Sequence, residues 1–313
     1  MRTHHIEGHP VWLRAASRRI ARELRRMRRR TWLDRHGNKV VSGLALLAIA
    51  ALLVGVYATR KPVPEPAPAA APSTISRVDL ADPFRNTPAE TWADGEAGLT
   101  PPEAAPVGPF SAQQVADAYR RARAAVVAAR LDRRVLEGHD VEPLLSLFAV
   151  DDQEGLRPLF AGGRDDEAGL IATRVASGWA LLPVAPKVDG AMTAEAKGPG
   201  ELVVHTDYVF AYAFATPDVE KLRGPMDIVA VTRIRYDYVM RSGPDFRPES
   251  QGMWSGPATG HSYSIGCTAS REGFLAPSIA EPRTQRGSTQ EEGRPEDYFD
   301  PDKPMPTINT CPG

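Results

Sequence analysis

A stretch of twenty residues without a charged side chain, from Val40 to Thr59, most constrains what this chain can fold into. As an α-helix it would be about 30 Å long, which matches the apolar thickness of a lipid bilayer. Arg60 and Lys61 end the stretch abruptly and proline-rich sequence follows, which is not typical of a buried core helix. The pattern therefore predicts a transmembrane helix at residues 40–59.

The charges on either side of this segment predict its orientation. Residues 20–39 contain eight arginines and lysines, whereas residues 60–79 contain three. Because positively charged flanks stay on the cytoplasmic side, we expect a single-pass protein of the cell membrane with residues 60–313 outside the cytoplasm. The alternative is a cleaved export signal, because residues 29–33 resemble the twin-arginine pattern. The apolar run is longer than most signal sequences, which favours the anchor.

The first 39 residues are strongly basic and predict a cytoplasmic tail with an amphipathic helix. In residues 11–30, apolar side chains recur at spacings of three and four, and arginines cover the other faces. Such a helix can lie on the anionic inner leaflet of the bilayer or bind an acidic protein. Alternatively, the arginines only set the topology. The expected partner-binding residues are Trp12, Ile20, Leu24, Arg25, Arg28 and Arg29.

Charge is divided unevenly along the chain, which is unusual for a uniform soluble enzyme. Residues 1–43 carry 12 basic and 3 acidic side chains, and the remainder carries 26 basic and 36 acidic ones. The basic part is too short for a recognisable nucleic-acid-binding fold, so we expect no nucleic-acid partner. The lipid bilayer and a cytoplasmic protein are the expected partners of this part of the chain.

Residues 60–109 are rich in proline and alanine, and predict an extended, semi-rigid linker outside the membrane. Within it, Phe84 and Trp92 are large aromatic residues in otherwise polar surroundings. We expect residues 78–100 to pack as a strap on the folded domain. The alternative is that these aromatic residues bind a partner.

Residues 110–275 change from helical to alternating periodicity and predict an α+β domain. Ser111 and Gln114 have the spacing of a capping box, at the start of a helix that runs to about Glu137. Residues 201–215 and 226–241 alternate as two long strands of an antiparallel hairpin. Further helices are expected at residues 142–149 and 152–160, and further strands at residues 190–197 and 262–267.

The order of these elements, helices first and then a long-stranded antiparallel sheet, resembles the cone-shaped fold of the nuclear-transport-factor-2-like superfamily over residues 110–270. The layout and the Ala/Arg/Pro/Gly-rich composition resemble actinobacterial single-span membrane proteins of unknown function. Some proteins of this layout accompany secretion systems or contractile injection systems. These resemblances imply a fold and a setting, and they imply no active site.

The predicted hairpin places two sets of polar side chains on opposite faces. One set could line a ligand pocket inside the cone, or belong to the core with satisfied hydroxyls; it comprises Tyr208, Tyr212, Tyr236 and Tyr238. On the other face, His205 and Asp207 could form an acid–base pair, or belong to a solvated surface with cross-strand ion pairs. No complete catalytic, cofactor-binding or metal-binding motif accompanies either set, so we expect a protein that is not an enzyme and has no cofactor.

The two cysteines, Cys267 and Cys311, both lie in the part that is expected outside the cytoplasm, where disulfides persist. A bond between them would attach the C-terminal residues 276–313, which we otherwise expect to be a polar and largely disordered tail. Two free cysteines are the alternative.

Together these features predict a membrane anchor or adaptor without enzymatic activity. It would link a cytoplasmic partner, or an envelope-associated protein machine, to the membrane and to a cell-wall or envelope component. The alternative is a ligand-binding or sensory module outside the cytoplasm, with the tyrosine-lined pocket as its binding site.

Overall fold

The computed structural model describes residues 78–162, 165–281, 299–305 and 311. The predicted cytoplasmic tail, the transmembrane helix at residues 40–59 and the first part of the linker lie outside these residues. Within the part of the chain that is described, no helix is both long and apolar enough to cross a membrane.

The longest helix in the described part of the chain, α1, spans Ala112–Arg130 and begins at the predicted capping box. The amide of Gln114 donates to the Ser111 hydroxyl, and the Gln114 side chain accepts from the Ser111 amide at 2.9 Å. Both groups lie at a helix start, where backbone donors have no partner within the helix. The predicted helix start is therefore confirmed.

Helix α1 ends earlier than the sequence predicts. Leu131 leaves the helical conformation, and Asp132 caps a separate short helix, α2, at Arg133–Leu136. The Asp132 carboxylate accepts a hydrogen bond of 2.9 Å from the Arg134 amide. An aspartate that caps a new helix competes with continuation of the old one, which explains why the predicted single helix to Glu137 is wrong.

The described residues also form four more short helices. They are α3 at Glu142–Leu145, α4 at Val150–Leu156, α5 at Asp165–Ile171 and α6 at Cys267–Arg271. The two short helices predicted after α1 are present, and the second ends in a 3-10 turn at Arg157–Phe160. The sequence pattern did not predict α5.

Five antiparallel strands form one sheet, in which each strand pairs with its neighbours in sequence. The strands are β1 at Ala93–Asp94, β2 at Lys187–Gly198, β3 at Glu201–Ala213, β4 at Val229–Arg241 and β5 at Gly252–Tyr263. Helices and an antiparallel sheet confirm the predicted α+β class.

Several strand boundaries differ from the prediction: β2 begins at Lys187 and not at residue 190, and β3 ends at Ala213 and not at residue 215. Residues 225–227 form a 3-10 turn and β4 starts at Val229, because the backbone fixed by Pro225 favours a turn there. The strand predicted at residues 262–267 is wrong, since β5 ends at Tyr263 and Cys267 starts a helix. The sequence pattern missed most of β5 because its glycines and its proline hide the alternation.

The sheet departs from regular strand geometry at two glycine-containing positions. Gly190 of β2 has a φ of +140°, and a Cβ there would lie 2.2 Å from the Asp207 carbonyl oxygen. In β5 the register shifts opposite β4, so that Gly256 and Pro257 form a bulge. Bulges bend a strand and increase its twist, and a proline is tolerated on an edge strand.

Both faces of the sheet carry buried apolar clusters. The inner face, covered by the helices, holds the aromatic stripe of β3, including Tyr208, Phe210 and Tyr212. The outer face carries a smaller cluster around Val209 and Val231 of the central strands. We call these the inner cluster and the outer cluster. The outer face is therefore not a uniformly solvated surface.

Residues 78–100 pack on the domain as a strap, as predicted. Phe84 is buried in the outer cluster and Leu99 in the inner cluster. The Arg123 side chain, on α1, donates to the carbonyls of Leu99 and Glu96, each at 3.0 Å. At the other end of the chain, Ala276, Phe299 and Cys311 are also buried, so the folded unit extends beyond residue 275.

Candidate functional site

The four predicted tyrosines lie together on the inner face of the sheet. Tyr208, Tyr212, Tyr236 and Tyr238 are all buried members of the inner cluster. The rings of Tyr236 and Tyr238 are 4.7 Å apart, and Tyr238 stacks on Phe148 at 6.3 Å. Their common face was predicted by the period-two alternation of β3 and β4.

Arg130 joins this cluster from the end of α1. Its guanidinium donates to the Gly169 carbonyl at 3.2 Å, to the Thr173 hydroxyl at 2.9 Å and to the Leu170 carbonyl. Gly169 and Leu170 lie in the last turn of α5, where the helix dipole is negative and attracts a cation. Burial lowers the pKa of Arg130, and the nearby tyrosines act in the opposite direction.

The tyrosine hydroxyls differ in their hydrogen bonding. Tyr212 donates to the main-chain carbonyl of Arg130 at 3.0 Å. The Tyr208 hydroxyl is buried and has no hydrogen-bond partner among the residues that the structure describes. Burial raises the pKa of Tyr208 to about 12 and keeps it neutral. Because most buried hydroxyls are paired, the Tyr208 hydroxyl is a polar group that a bound molecule could engage.

Asp152 connects this cluster to the edge strand. Its carboxylate accepts hydrogen bonds from the Ser255 amide at 2.7 Å and from the Ser255 hydroxyl at 3.0 Å. Burial raises the pKa of Asp152, although the bonds from Ser255 act against this. Its charge in turn adds to the burial that raises the pKa of Tyr236. The pair attaches α4 to the bulge of β5.

The predicted acid–base pair on the outer face does not form. His205 contacts Asp237 at 2.7 Å and Glu195 at 3.1 Å through its two ring nitrogens. Asp207 instead accepts from Arg233, at 2.8 and 2.7 Å, and from Arg235 at 2.6 Å. Residues directly opposite on paired strands lie nearer to each other than residues two apart on one strand. The dyad is therefore wrong, and the alternative of cross-strand ion pairs is confirmed.

A histidine between two carboxylates resembles part of a metal site. Among the described side chains, however, no group of three or more histidine, cysteine, aspartate or glutamate residues is arranged to hold a metal ion. The two ring nitrogens of His205 contact Asp237 and Glu195 at once, so the three residues form a polar bridge across β2, β3 and β4.

Arg233 makes the most extensive polar contacts of the outer face. Its side chain is 4% exposed and is held by the Asp207 carboxylate on one side. It also donates to the main-chain carbonyls of Lys303 at 2.6 Å, of Asp300 at 3.3 Å and of Pro301. The alternation of β4 placed Arg233 on the outer face, but no local pattern could indicate an acceptor about 70 residues away.

The C-terminal contacts extend from Arg233 to an aromatic group and a disulfide. Phe299 is buried with its ring centroid 5.8 Å from that of Trp92 and 6.4 Å from that of Tyr263. Cys267 and Cys311 form the predicted disulfide, with their Cα atoms 5.3 Å apart. Trp92 of the strap and Phe299 of the C-terminal segment therefore meet on the outer face, whereas the disulfide belongs to the inner cluster.

Comparison with known proteins identifies no relative: no family model, no curated protein and no solved structure matches this chain. The cone-fold resemblance therefore stays a prediction.

Proposed function

We propose that this protein is a membrane-anchored adaptor without enzymatic activity, with its folded domain outside the cytoplasm and its basic tail inside. The tail would bind an acidic cytoplasmic protein or an envelope-associated machine. The folded domain would contact a cell-wall or envelope component. The long uncharged segment at residues 40–59 would join the two through the bilayer.

The observation that carries this proposal is the disulfide between Cys267 and Cys311. Disulfides persist in oxidising compartments and are rare in the cytosol of most organisms. The charge asymmetry around residues 40–59 assigns the same side of the membrane to this domain. The disulfide in the folded domain and the charges that flank residues 40–59 are independent observations. Both support the same orientation.

The orientation can be tested by labelling lysines in intact cells with a membrane-impermeant amine reagent. The side chains of Lys197 and Lys221 are 51% and 62% exposed, so they are accessible on the folded domain. We expect mass spectrometry to find both labelled in intact cells, with Lys39 labelled only after permeabilisation. Labelling of Lys197 and Lys221 only after permeabilisation would contradict the proposed orientation.

The adaptor role can be tested by a cross-linked pull-down of the full-length protein in mild detergent. A Trp12→Ala, Ile20→Ala, Leu24→Ala variant removes the apolar stripe of the tail and keeps its charge. A second variant, with Arg25, Arg28 and Arg29 each changed to Lys, keeps the charge and removes the guanidinium groups, which can donate two parallel hydrogen bonds to a carboxylate. We expect the first variant to lose the cytoplasmic partner and the second to weaken it. Identical partner lists for both variants and the wild type would exclude docking through the tail.

The second candidate function is the binding of a small polar molecule at the inner face of the sheet, in a fold of the nuclear-transport-factor-2-like cone type. The observation that favours it is the buried Tyr208 hydroxyl, which has no partner in the described part of the chain. A molecule with a hydrogen-bond acceptor, such as benzoate or acetamide, would raise the melting temperature by mass action. We expect a smaller rise in a Tyr208→Phe variant, and an equal rise in both would place binding elsewhere.

A further inference from the structure

The outer face of the sheet already holds a short peptide, contributed by this chain itself. Residues 299–305 lie against β4 and the strap, and residues 282–298 separate them from the described chain that precedes them. The segment is held by the side chain of Phe299 and by main-chain carbonyls that contact Arg233. These are the elements of a peptide-recognition site, namely an aromatic anchor and a donor for the backbone.

The guanidinium of Arg233 is held in an orientation in which it can donate to main-chain carbonyls. The Asp207 carboxylate engages two of its nitrogens at 2.8 and 2.7 Å, which fixes the plane of the guanidinium. The donors that remain point to three main-chain carbonyls of the C-terminal segment. Carbonyl acceptors are present in any peptide, so this half of the site recognises the shape of the backbone and not its side chains.

The aromatic half of the site supplies selectivity. Phe299 is 3% exposed and packs against Trp92 of the strap and Tyr263 of β5. Burial of a whole phenylalanine ring between aromatic side chains is a typical anchor of an interface.

A turn beside the anchor brings the carbonyls to Arg233. The Asp300 carboxylate accepts a hydrogen bond of 2.9 Å from the Asp302 amide, as in an Asx turn, with Pro301 between them. The strap repeats this chemistry, because Phe84 follows Asp82 and Pro83 and is buried in the same outer cluster. Two separate segments with a phenylalanine beside an Asp-Pro pair therefore pack on one face.

We propose that Trp92, Asp207, Arg233 and Tyr263 form a peptide-docking site, which the C-terminal segment occupies in this chain and which also binds a segment of another protein that carries a phenylalanine beside an Asp-Pro pair. The disulfide at Cys311 keeps the chain's own segment at a high local concentration. A partner peptide must therefore compete with it. This site lies within the folded domain and does not depend on the membrane anchor.

The first test uses the wild-type chain, which is folded, and a synthetic peptide. The peptide has the sequence of residues 299–305, with benzoylphenylalanine in place of its phenylalanine as a photo-cross-linker. At millimolar peptide, we expect cross-links that map to Trp92 or Tyr263 by mass spectrometry. Cross-links spread over other surfaces, or equal cross-linking by a peptide of scrambled sequence, would overturn the proposal.

The second test opens the site. A Phe299→Ala, Cys311→Ser variant removes the anchor and the tether of the chain's own segment. The probe is a fluorescently labelled peptide with the unchanged sequence of residues 299–305. We expect fluorescence anisotropy to show that it binds this variant at least about tenfold more tightly than it binds the wild type. Adding Arg233→Lys to the variant should abolish the gain, as should replacing the peptide's phenylalanine with alanine. A folded open variant that does not bind the peptide would overturn the proposal, and if that variant does not fold, the cross-linking result decides.

Discussion

The hydroxyl of Tyr212, near the end of the central strand β3, donates a hydrogen bond of 3.0 Å to the main-chain carbonyl of Arg130, the last residue of α1. Carbonyls at the end of a helix have no partner within the helix. The Arg130 side chain in turn binds the Gly169 and Leu170 carbonyls near the end of α5. One residue therefore joins the ends of two helices to the inner face of the sheet.

This arrangement predicts different effects for two similar substitutions. Tyr212→Phe removes the donor and leaves a buried carbonyl unpaired, so we expect the free energy of unfolding in urea to fall by about 1–2 kcal/mol. Tyr208→Phe removes a hydroxyl that has no partner among the described residues, so we expect a change within about 0.5 kcal/mol, or a gain. An equal loss of unfolding free energy in both variants would show that the hydrogen bond to the Arg130 carbonyl does not explain the effect of Tyr212→Phe.

Asp207 should be far more important for stability than other surface carboxylates. Asp207→Asn leaves the buried Arg233 guanidinium without its counter-charge, and we expect unfolding to become easier by roughly 3 kcal/mol. The control is Asp218→Asn, because Asp218 pairs with Lys221 on the exposed surface. That change should cost less than about 1 kcal/mol. Similar small costs for both variants would contradict the role of the buried pair.

The same pair predicts a pH dependence. Burial acts to raise the pKa of Asp207, but the hydrogen bonds and charges of Arg233 and Arg235 outweigh it and lower the pKa below its usual 3.8. A carboxyl with a lowered pKa in the folded state stabilises the protein above its unfolded pKa and loses this effect as the pH falls through the folded value. The difference in unfolding free energy between wild type and Asp207→Asn should therefore be constant near neutral pH and shrink below pH 3.8. An unchanged difference throughout the acid range would contradict this.

The disulfide should contribute strongly to stability. It joins residues 44 positions apart, and closing a loop of this length stabilises a fold by about 4 kcal/mol in the chain-entropy model. We expect a reducing agent to lower the melting temperature of the wild type. A Cys267→Ser, Cys311→Ser variant should melt at the lower temperature with or without the reducing agent. A wild type with two titratable thiols and an unchanged melting temperature would contradict the expectation.

Gly190 should tolerate no side chain. Its φ of +140° is unfavourable for other residues, and a Cβ would lie 2.2 Å from the Asp207 carbonyl oxygen and 2.7 Å from the Tyr208 Cα. We expect Gly190→Ala to lower the free energy of unfolding by about 2 kcal/mol or more. Gly198, in the same strand, has open space within 4 Å of the position that a Cβ would take, so Gly198→Ala is the matched control and should change the free energy by less than about 1 kcal/mol. Similar changes in unfolding free energy for the two variants would show that the backbone of β2 shifts to accommodate a side chain at residue 190.

The parts of the fold that were predicted correctly depend on neighbours in sequence. The capping box joins Ser111 to Gln114 three residues later, and the faces of β3 and β4 follow from their alternation. The edge strand β5 was mostly missed, because an edge strand is held by its pairing with β4 and not by an apolar pattern of its own. The end of α1 was missed because an aspartate beyond it starts another helix.

In the candidate sites, too, some features were predicted from the sequence and others were not. The four tyrosines were predicted to share a face and do, and the two cysteines were predicted to bond and do. His205 and Asp207 lie two residues apart, which suggested a pair, but each has a nearer partner on a neighbouring strand. The alternation of β4 placed Arg233 on the outer face, but the sequence did not indicate its C-terminal acceptors, because these are main-chain carbonyls of a distant segment.

The sequence by itself determined the properties that act locally: the uncharged segment at residues 40–59 with its unequal flanks, the α+β class, the start of α1 and the two faces of the hairpin. Hydrophobic length, periodicity and capping each need only a few consecutive residues, so they can be read without a fold. Only the tertiary structure decided which charge pairs with which, and that residues 299–305 occupy the outer face beside Arg233. Those contacts form between groups distant in sequence, and their energies depend on burial and on distances that exist only once the sheet has formed.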